Sequence, residues 1–379
     1  MKILHNWLIV LAVVLTLCYS CITSTMSNAN PVSLHIHNES FPVSNIGNLN
    51  LSIQLKDCGN ESIIKDVDRI IHNGDRIYVL DEANDVITCI DKNGRLLAST
   101  KKYIGHGRME YIHLSDMALD ESTGQIYVLC DTPSEIIIFN QDLMIDSIKK
   151  IDFSPIEMCV DTTHIMFVCR NLDDCCYEIL TIKKNDLGKK PNLIIQSKIE
   201  INRIMGMGKN MTYIEGECWV SLPFNNCIYK IKNGEIADSY SIEFGDNWYK
   251  NDRYNMSQFL DVNRDRVWSI LNIQKCGRYL WFNSNTEGLY CLDTLYGQCQ
   301  CYNSLFHDSI PYATQLIIPQ QGLKNIISFS VLPGFVLTYL RNVEKSHSEN
   351  TEDKKYSLAK ENQRERNAML LFWEITGKN

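Results

Sequence analysis

The sequence lacks any surplus of basic charge. It contains 37 Lys and Arg residues against 45 Asp and Glu, which gives a formal net charge of −8. Proteins that bind nucleic acid neutralise its phosphates with clustered Lys and Arg, whereas the basic residues here are spread among acidic ones. Nucleic acid is therefore disfavoured as a partner, and no basic surface for anionic lipid is predicted.

Two motifs that would anchor catalysis are also missing. The histidines show no HExxH or similar spacing, and there is no Gly-x-Ser-x-Gly elbow. No catalytic residue, no cofactor and no metal is therefore predicted from a local motif. A metal could still be assembled at a central channel by residues that lie far apart in the chain.

The apolar run at the beginning of the sequence is too short to cross a bilayer. It extends from Trp7 to Leu17, follows Lys2 and is typical of a signal peptide. The junction Ser20-Cys21 resembles a bacterial lipoprotein box, so we expect lipid attachment at Cys21; a cleaved signal without lipid is the alternative. The sequence predicts a signal peptide over 1–20, a lipidated tether and first strand over 21–44, and an exported protein anchored by lipid at the outer membrane or in the periplasm.

A short apolar strand followed by a hairpin partner recurs along the rest of the chain. The run from Ile77 to Leu80 has the composition of a strand covered on both faces, and Val86 to Ile90 fits as its partner. Similar runs begin at Ile126, Ile165, Trp219, Val267 and Phe335. A repeat of roughly 40–50 residues is the length of a β-propeller blade. The sequence predicts an all-β fold, a six-bladed β-propeller with four-stranded antiparallel blades over 45–379.

The same residues resemble a known family. Together with the segment Gly105-His106-Gly107-Arg108-Met109-Glu110-Tyr111, they are similar to the six-bladed β-propeller lipoproteins of Bacteroides-type bacteria, relatives of NHL-repeat propellers. The resemblance covers roughly residues 45 to 375, and its most specific piece is Gly-x-Gly-x-x-Glu-Tyr, in which this chain has Gly107-Arg108-Met109 where the family usually has Gly-Pro-Gly. It implies a propeller fold and export, and no particular activity.

Two terminal strands are predicted to complete the last blade. Leu49 to Leu55 alternates in period two, and Met369 to Ile375 is its expected neighbour. Val32 to His37 also has the alternation of a strand. Between Phe335 and the last strand, residues 342–366 are dense in charge and are predicted to form a solvated insertion.

Most cysteines lie inside apolar strand runs and are predicted to serve as small core residues. They are Cys89, Cys130, Cys159, Cys169, Cys227 and Cys291. Their spacings do not match paired zinc ligands, and they give no regular disulfide framework.

The best candidates for ligand binding are Trp248, Tyr249 and Tyr254, in a polar loop between the fourth and fifth units. Aromatic rings flanked by Asp, Asn and Arg suit a sugar or peptide site, although the same rings could pack down as a lid. His106 and Glu110 are further candidates. A turn is the favoured interpretation of their loop, because Glu110 stands where a dinucleotide-binding fingerprint needs glycine.

The function predicted from these observations is binding. We expect an exported module that takes a protein, glycan or peptide ligand and acts as a monomer or as part of an envelope complex. The alternative is a metal-dependent lyase or hydrolase that acts on a glycan or peptide at the central channel face.

Overall fold

The computed structural model describes residues 29–42, 45, 47–55, 64, 66–198, 208–250, 256–286, 288–306, 317–331 and 368–375. Within these residues the structure is all-β, with 25 strands, one short α-helix and a few 3-10 turns. None of the helices among them has the length and apolar character needed to span a membrane.

The elements follow one another in chain order. They are β1 (Asn30–Pro42), β2 (Gly47–Gln54), β3 (Arg69–Asn73), β4 (Arg76–Asp81), β5 (Val86–Asp91), β6 (Leu96–Ser99), β7 (His113–Asp120), β8 (Gln125–Thr132), β9 (Ser134–Phe139), β10 (Ile145–Lys150), β11 (Pro155–Val160), β12 (His164–Asn171), β13 (Cys176–Lys183), β14 (Asn192–Lys198), β15 (Met211–Ile214), β16 (Glu217–Ser221), β17 (Cys227–Lys232), β18 (Glu235–Glu243), α1 (Met256–Val262), β19 (Ile270–Cys276), β20 (Tyr279–Ser284), β21 (Leu289–Asp293), β22 (Gln298–Phe306), β23 (Gln320–Gln321), β24 (Ile326–Val331) and β25 (Met369–Ile375).

Successive strands pair as antiparallel meanders. We number them group 1 (β3–β6), group 2 (β7–β10), group 3 (β11–β14), group 4 (β15–β18), group 5 (β19–β22) and group 6 (β24, β25 and β2). The short strand β23 pairs in parallel with β3, Gln320 lying opposite Ile70. Just before it, Ile318 bridges to Ser328 of β24, so this segment connects group 6 to group 1.

The strands are apolar on both faces because each meander packs against two others. In β4, Tyr78 and Leu80 lie in a hydrophobic cluster shared with group 2, whereas Ile77 and Val79 lie in a cluster shared with group 6. Similar clusters join groups 2 and 3, groups 3 and 4, and groups 4 and 5. Each fully buried aliphatic side chain contributes about 1.5–3 kcal/mol, so the core lies between the sheets.

The predicted pairing of the terminal strands is confirmed. β2 runs antiparallel to β25, with Gly47 opposite Ile375 and Gln54 opposite Met369. β25 also pairs with β24, so it is the middle strand of group 6. The charged insertion predicted over 342–366 and the repeat predicted at Phe335 lie outside the described residues.

The fifth repeat is wrong in position. The run at Val267 is expected to correspond to the run at Ile77, which forms β4, but the strand of group 5 in that place is β20, and Val267 precedes β19. Both segments are apolar and buried, and the insertion that contains α1 shifts the spacing. An apolar run by itself does not identify which strand of a meander it forms.

The position of β1 was not predicted. It lies parallel to β18 and β22, between the outer strands of groups 4 and 5, and joins these groups into a nine-stranded sheet. It pairs with β18 over 30–33 and with β22 over 33–42, with an irregularity between His37 and Ser40.

Candidate functional site

Trp248 and Tyr249, two of the three predicted aromatic residues, lie in a packed cluster. Trp248 is half-buried and stacks on Phe244, with ring centroids 5.2 Å apart and planes 15° apart. Tyr249 meets Phe224 edge-on at 5.2 Å. Tyr254 lies outside the described residues. One face of the Trp248 indole is thus already covered, and its role in binding stays a prediction.

Backbone hydrogen bonds hold this loop in place. The Tyr249 N–H donates to the Val267 carbonyl at 2.9 Å, and the Val267 N–H donates to the Asn247 carbonyl at 2.8 Å. The Asn285 side chain in turn accepts from the Trp268 N–H at 2.7 Å. The loop therefore forms a fixed wall between groups 4 and 5.

A cavity of about 540 Å³ opens beside this wall. Its lining combines apolar and polar side chains, and includes Leu34 and Ile36 of β1, Phe244 and Asn247 of the loop, and Thr286 and Tyr290 of group 5. We call it the β1 groove. Its size falls within the range of about 300–1,000 Å³ typical of ligand sites.

The groove exists because β1 separates from β18. Their pairing ends at Ser33 and Glu243, whereas β1 continues along β22. The Ser33 N–H donates to the Gly297 carbonyl at 3.2 Å, so the backbone of Ser33 faces β22. Alternate residues of a parallel strand face opposite neighbours, so the backbone groups of Leu34 and Ile36 lie on the β18 side. The Leu34 N–H belongs to the pairing of Ser33 with Glu243, and the Leu34 C=O and the backbone groups of Ile36 point toward the groove. In the part of the chain that the structure describes, no strand pairs with β1 on that side beyond Ser33.

A second cavity, of about 500 Å³, lies among turn residues that include Gln125, Gln141 and Asp142. Its lining is polar throughout and holds no aromatic ring. The β1 groove is the better candidate, because aromatic and aliphatic side chains line it beside polar ones.

The other two predicted binding residues lie in a tight loop. The Glu110 carboxylate accepts a hydrogen bond from the Gly107 N–H at 2.7 Å, and a Cβ on either Gly105 or Gly107 would collide with that carboxylate. This accounts for the Gly-x-Gly-x-x-Glu pattern. His106 is exposed. The loop lies apart from the groove, and binding by His106 or Glu110 stays a prediction.

A buried network of charged residues links the first strands of the groups. Asp116 is wholly buried and accepts from Arg69 at 2.6 and 3.2 Å and from the Met158 N–H at 2.9 Å. Arg69 also donates to the Met211 carbonyl at 2.9 Å. We call the set formed by Arg69, Asp116, Glu157 and Lys209 the inner network.

The network continues through Glu157 and Lys209. The Glu157 carboxylate accepts from the N–H groups of Asn210 and Met211 at 2.7 and 2.9 Å. Lys209 bonds to Glu82 and donates to the Ser115 carbonyl at 2.6 Å. Groups 1 to 4 are therefore connected by hydrogen bonds between their inner strands.

Burial also shifts the acidity of these groups. It raises the pKa of Glu157 to about 7, against the opposing charge of Lys209. Burial and the neighbouring Glu82 charge raise the pKa of Asp68 to about 6. Burial opposes the charge of Lys209, but Asp116 and Glu82 outweigh it and raise the lysine pKa. Within the inner network, Glu157 is therefore a carboxyl group that titrates near neutral pH.

One histidine beside the network forms an acid–base pair. His113 Nδ1 lies 2.5 Å from Asp85 Oδ1, and its Nε2 lies 3.8 Å from Asp131. Burial opposes the histidine charge, but the bond to Asp85 and the charge of Asp131 outweigh it and raise the His113 pKa. Such a pair could accept a proton from a bound molecule.

Neither metal ligands nor disulfides mark a site in the described chain. Among its residues, no three His, Cys, Asp or Glu side chains are grouped to hold a metal ion. Its cysteines are all free. The predicted core cysteines are buried apart from Cys227, which is partly exposed.

Comparison with known proteins identifies a family. The model of a domain of unknown function, DUF4934, matches residues 57–372. The chain belongs to the DUF4934 family. No curated protein has a significant similarity to this DUF4934 chain.

Solved structures resemble the DUF4934 chain in fold. A Bacteroides fragilis protein named as an exported protein has a TM-score of 0.69 and 16% identity, and the match covers 92% of this chain and 100% of that one. Virginiamycin B lyase from Staphylococcus aureus matches with a TM-score of 0.42 and 14% identity, over 70% of this chain and 77% of that chain. A β-propeller domain of a Myceliophteria thermophila protein matches with a TM-score of 0.39 and 10% identity, over 62% of this chain and 68% of that chain.

The sequence did not indicate the groove or the inner network. The groove is built from β1, the loop at Phe244 and group 5, which are distant in the chain. The network has a weak sequence signal, which is a charged residue in the interior of an apolar strand. Asp116 in β7 and Glu157 in β11 both fit this pattern.

Proposed function

We propose that this DUF4934 chain is an exported, lipid-anchored six-bladed β-propeller that works as a binding module. The ligand occupies the β1 groove. The observation that carries the proposal is a ligand-sized cavity with a fixed aromatic wall on one side and a strand edge on the other.

The contacts between inner strands support a closed ring of six blades. Beyond the inner network, the Asn210 side chain donates to the Ile270 carbonyl at 2.9 Å, which connects group 4 to group 5. The Gln320 N–H donates to Gln274 at 3.2 Å, and Gln320 lies opposite Ile70 of group 1. Together with the inner network, these contacts link groups 1 to 5 and lead through β23 back to group 1.

Export is supported from two directions, and lipid attachment by the sequence pattern. The apolar run at 7–17 followed by Ser20-Cys21 is typical of an exported lipoprotein. The Bacteroides fragilis protein of similar fold is named as exported. The anchor places the module in the cell envelope, at the outer membrane or facing the periplasm.

A substitution that fills the β1 groove tests whether the ligand binds there. Asn247 is exposed and lines the groove, so Asn247→Trp should block it without disturbing the core. Asp173→Trp is the matched control, since Asp173 is exposed in the turn between β12 and β13. The full chain, purified in detergent, is presented to an oligosaccharide array and to a random peptide library displayed on phage.

We expect wild type and Asp173→Trp to bind members of at least one collection, and Asn247→Trp to bind them at least about tenfold more weakly. Equal binding by Asn247→Trp, or no binding by wild type to either collection, would sink the proposal.

A lyase or hydrolase is the second candidate, and the His113–Asp85 pair is the observation that favours it. A histidine with a raised pKa held by a carboxylate is suited to proton transfer on a glycan or peptide. The groove lies between groups 4 and 5, whereas His113 lies in group 2 beside the inner network, so the two proposals concern different places.

A further inference from the structure

The β1 groove has a strand edge along one wall. Beyond Ser33, β1 keeps its pairing with β22 and loses its pairing with β18. The pairing of Ser33 with Glu243 uses the Leu34 N–H, whereas the Leu34 C=O and both the N–H and the C=O of Ile36 point into the groove, where no described strand pairs with them. An edge of this kind accepts an added strand, since main-chain hydrogen bonds then form without any change in the sheet.

We infer that the ligand of the β1 groove is an extended polypeptide, which adds as a strand along β1 on the side that β18 leaves open. The inference rests on the proposed function and specifies the class of ligand.

The aromatic lining favours a polypeptide over a sugar. A sugar site needs an accessible ring face for stacking. The ring of Phe244 is covered by Trp248 at 5.2 Å and contacted by Tyr290 at 6.0 Å, edge to face. These rings therefore supply an apolar surface, and the backbone groups of β1 recognise the ligand through hydrogen bonds.

The lining also indicates the sequence of the ligand. Phe244 and Tyr290 contribute apolar surface, whereas Asn247 and Thr286 contribute polar groups. Successive side chains of a strand point to opposite faces, so one alternate set meets the groove and the other faces water. The ligand is therefore a segment in which apolar and polar residues alternate.

The experiment uses peptides selected from the phage library on the full chain. Their affinities are measured for wild type, Ile36→Pro and Ile36→Ala. Proline removes the one N–H that faces the groove, and an edge strand tolerates it because no ladder bond on the β22 side is lost. Alanine removes the side chain and keeps the N–H, and Ile36 is 43% exposed, so both changes avoid the core.

We expect Ile36→Pro to bind at least about tenfold more weakly than Ile36→Ala, since both variants lose the isoleucine side chain and only proline loses the backbone N–H. A second measurement uses wild type alone with peptides methylated at one backbone nitrogen at a time. If the peptide adds as a strand, methylation at every second backbone nitrogen weakens binding about tenfold, and methylation at the nitrogens between them changes the affinity little. If Ile36→Pro does not fold, this methylation scan alone tests whether the peptide adds as a strand.

Three results would overturn the inference. They are equal binding by a folded Ile36→Pro and by Ile36→Ala, methylation losses with no alternation, and no enrichment of any peptide. If no peptide is enriched but the wild type binds oligosaccharides and Asn247→Trp does not, the proposed function stands and only the class of ligand changes. A wild-type dimer that Ile36→Pro disperses would instead assign the edge to a second copy of the chain.

Discussion

Replacing Asp116 with alanine tests whether the inner network stabilises the fold. Asp116 is 0% exposed and Arg69 is 4% exposed, so the substitution leaves a guanidinium buried without its carboxylate. Breaking a buried ion pair in this way costs about 3–5 kcal/mol. The Met158 N–H also loses its acceptor, which adds about 1 kcal/mol or more. In a protein of this size, that lowers Tm by on the order of 10 °C.

Thermal unfolding followed by tryptophan fluorescence measures the effect. Asp261→Ala is the control, because Asp261 and Arg264 form an ion pair at 3.4 Å with side chains 74% and 75% exposed. We expect that control to change the free energy of unfolding by less than about 1 kcal/mol. The double variant Arg69→Met with Asp116→Leu should recover part of the loss, since no uncompensated charge is left. If Asp116→Ala has the same Tm as the Asp261→Ala control, the reasoning is refuted.

Two further predictions concern pH and the anchor. Burial raises the pKa of Glu157 from 4.5 to about 7, so the folded state holds a proton that the unfolded state releases; this contribution is present at low pH and is lost as the pH rises through 7. Glu157→Gln keeps an acceptor for Asn210 and Met211, so the fall of the urea midpoint with pH should become shallower, and an unchanged slope would contradict the assignment. Cys21→Ala should move the protein from the membrane to the soluble fraction and abolish fatty-acid labelling; a labelled variant or a soluble wild type would refute lipid attachment at Cys21.

The sequence predicted local strands better than their partners. The runs at Ile77 and Ile126 form β4 and β8, because a run of β-branched and aromatic residues between turns carries its own signal. The pairing of β2 with β25 followed from the same kind of pattern at both ends of the chain. For β1 no such signal exists, since an alternating strand fits any open edge and only the whole sheet decides which one.

The functional groups were harder to predict for a related reason. Trp248 was selected as an aromatic residue in a polar loop, and the structure shows its ring stacked on Phe244. The charged residues of the inner network resemble surface residues in sequence, because burial depends on strands from other groups. A charged residue such as Asp116 inside an otherwise buried strand is the pattern that can reveal them.

The direction of β1 has a mechanical consequence. The strand begins at Asn30, whose side chain donates to Asp238 at 2.9 Å, and it runs parallel to both neighbours toward the groove. A pull on Asn30 along the strand loads the hydrogen bonds to β18 and β22 together, in shear, instead of opening them one after another. A module tethered at its amino-terminal side would carry tension in this strand whenever its ligand and the membrane move apart. The load would be shared between groups 4 and 5, and the groove would lie along the middle of β1, just beyond the residues that pair with β18.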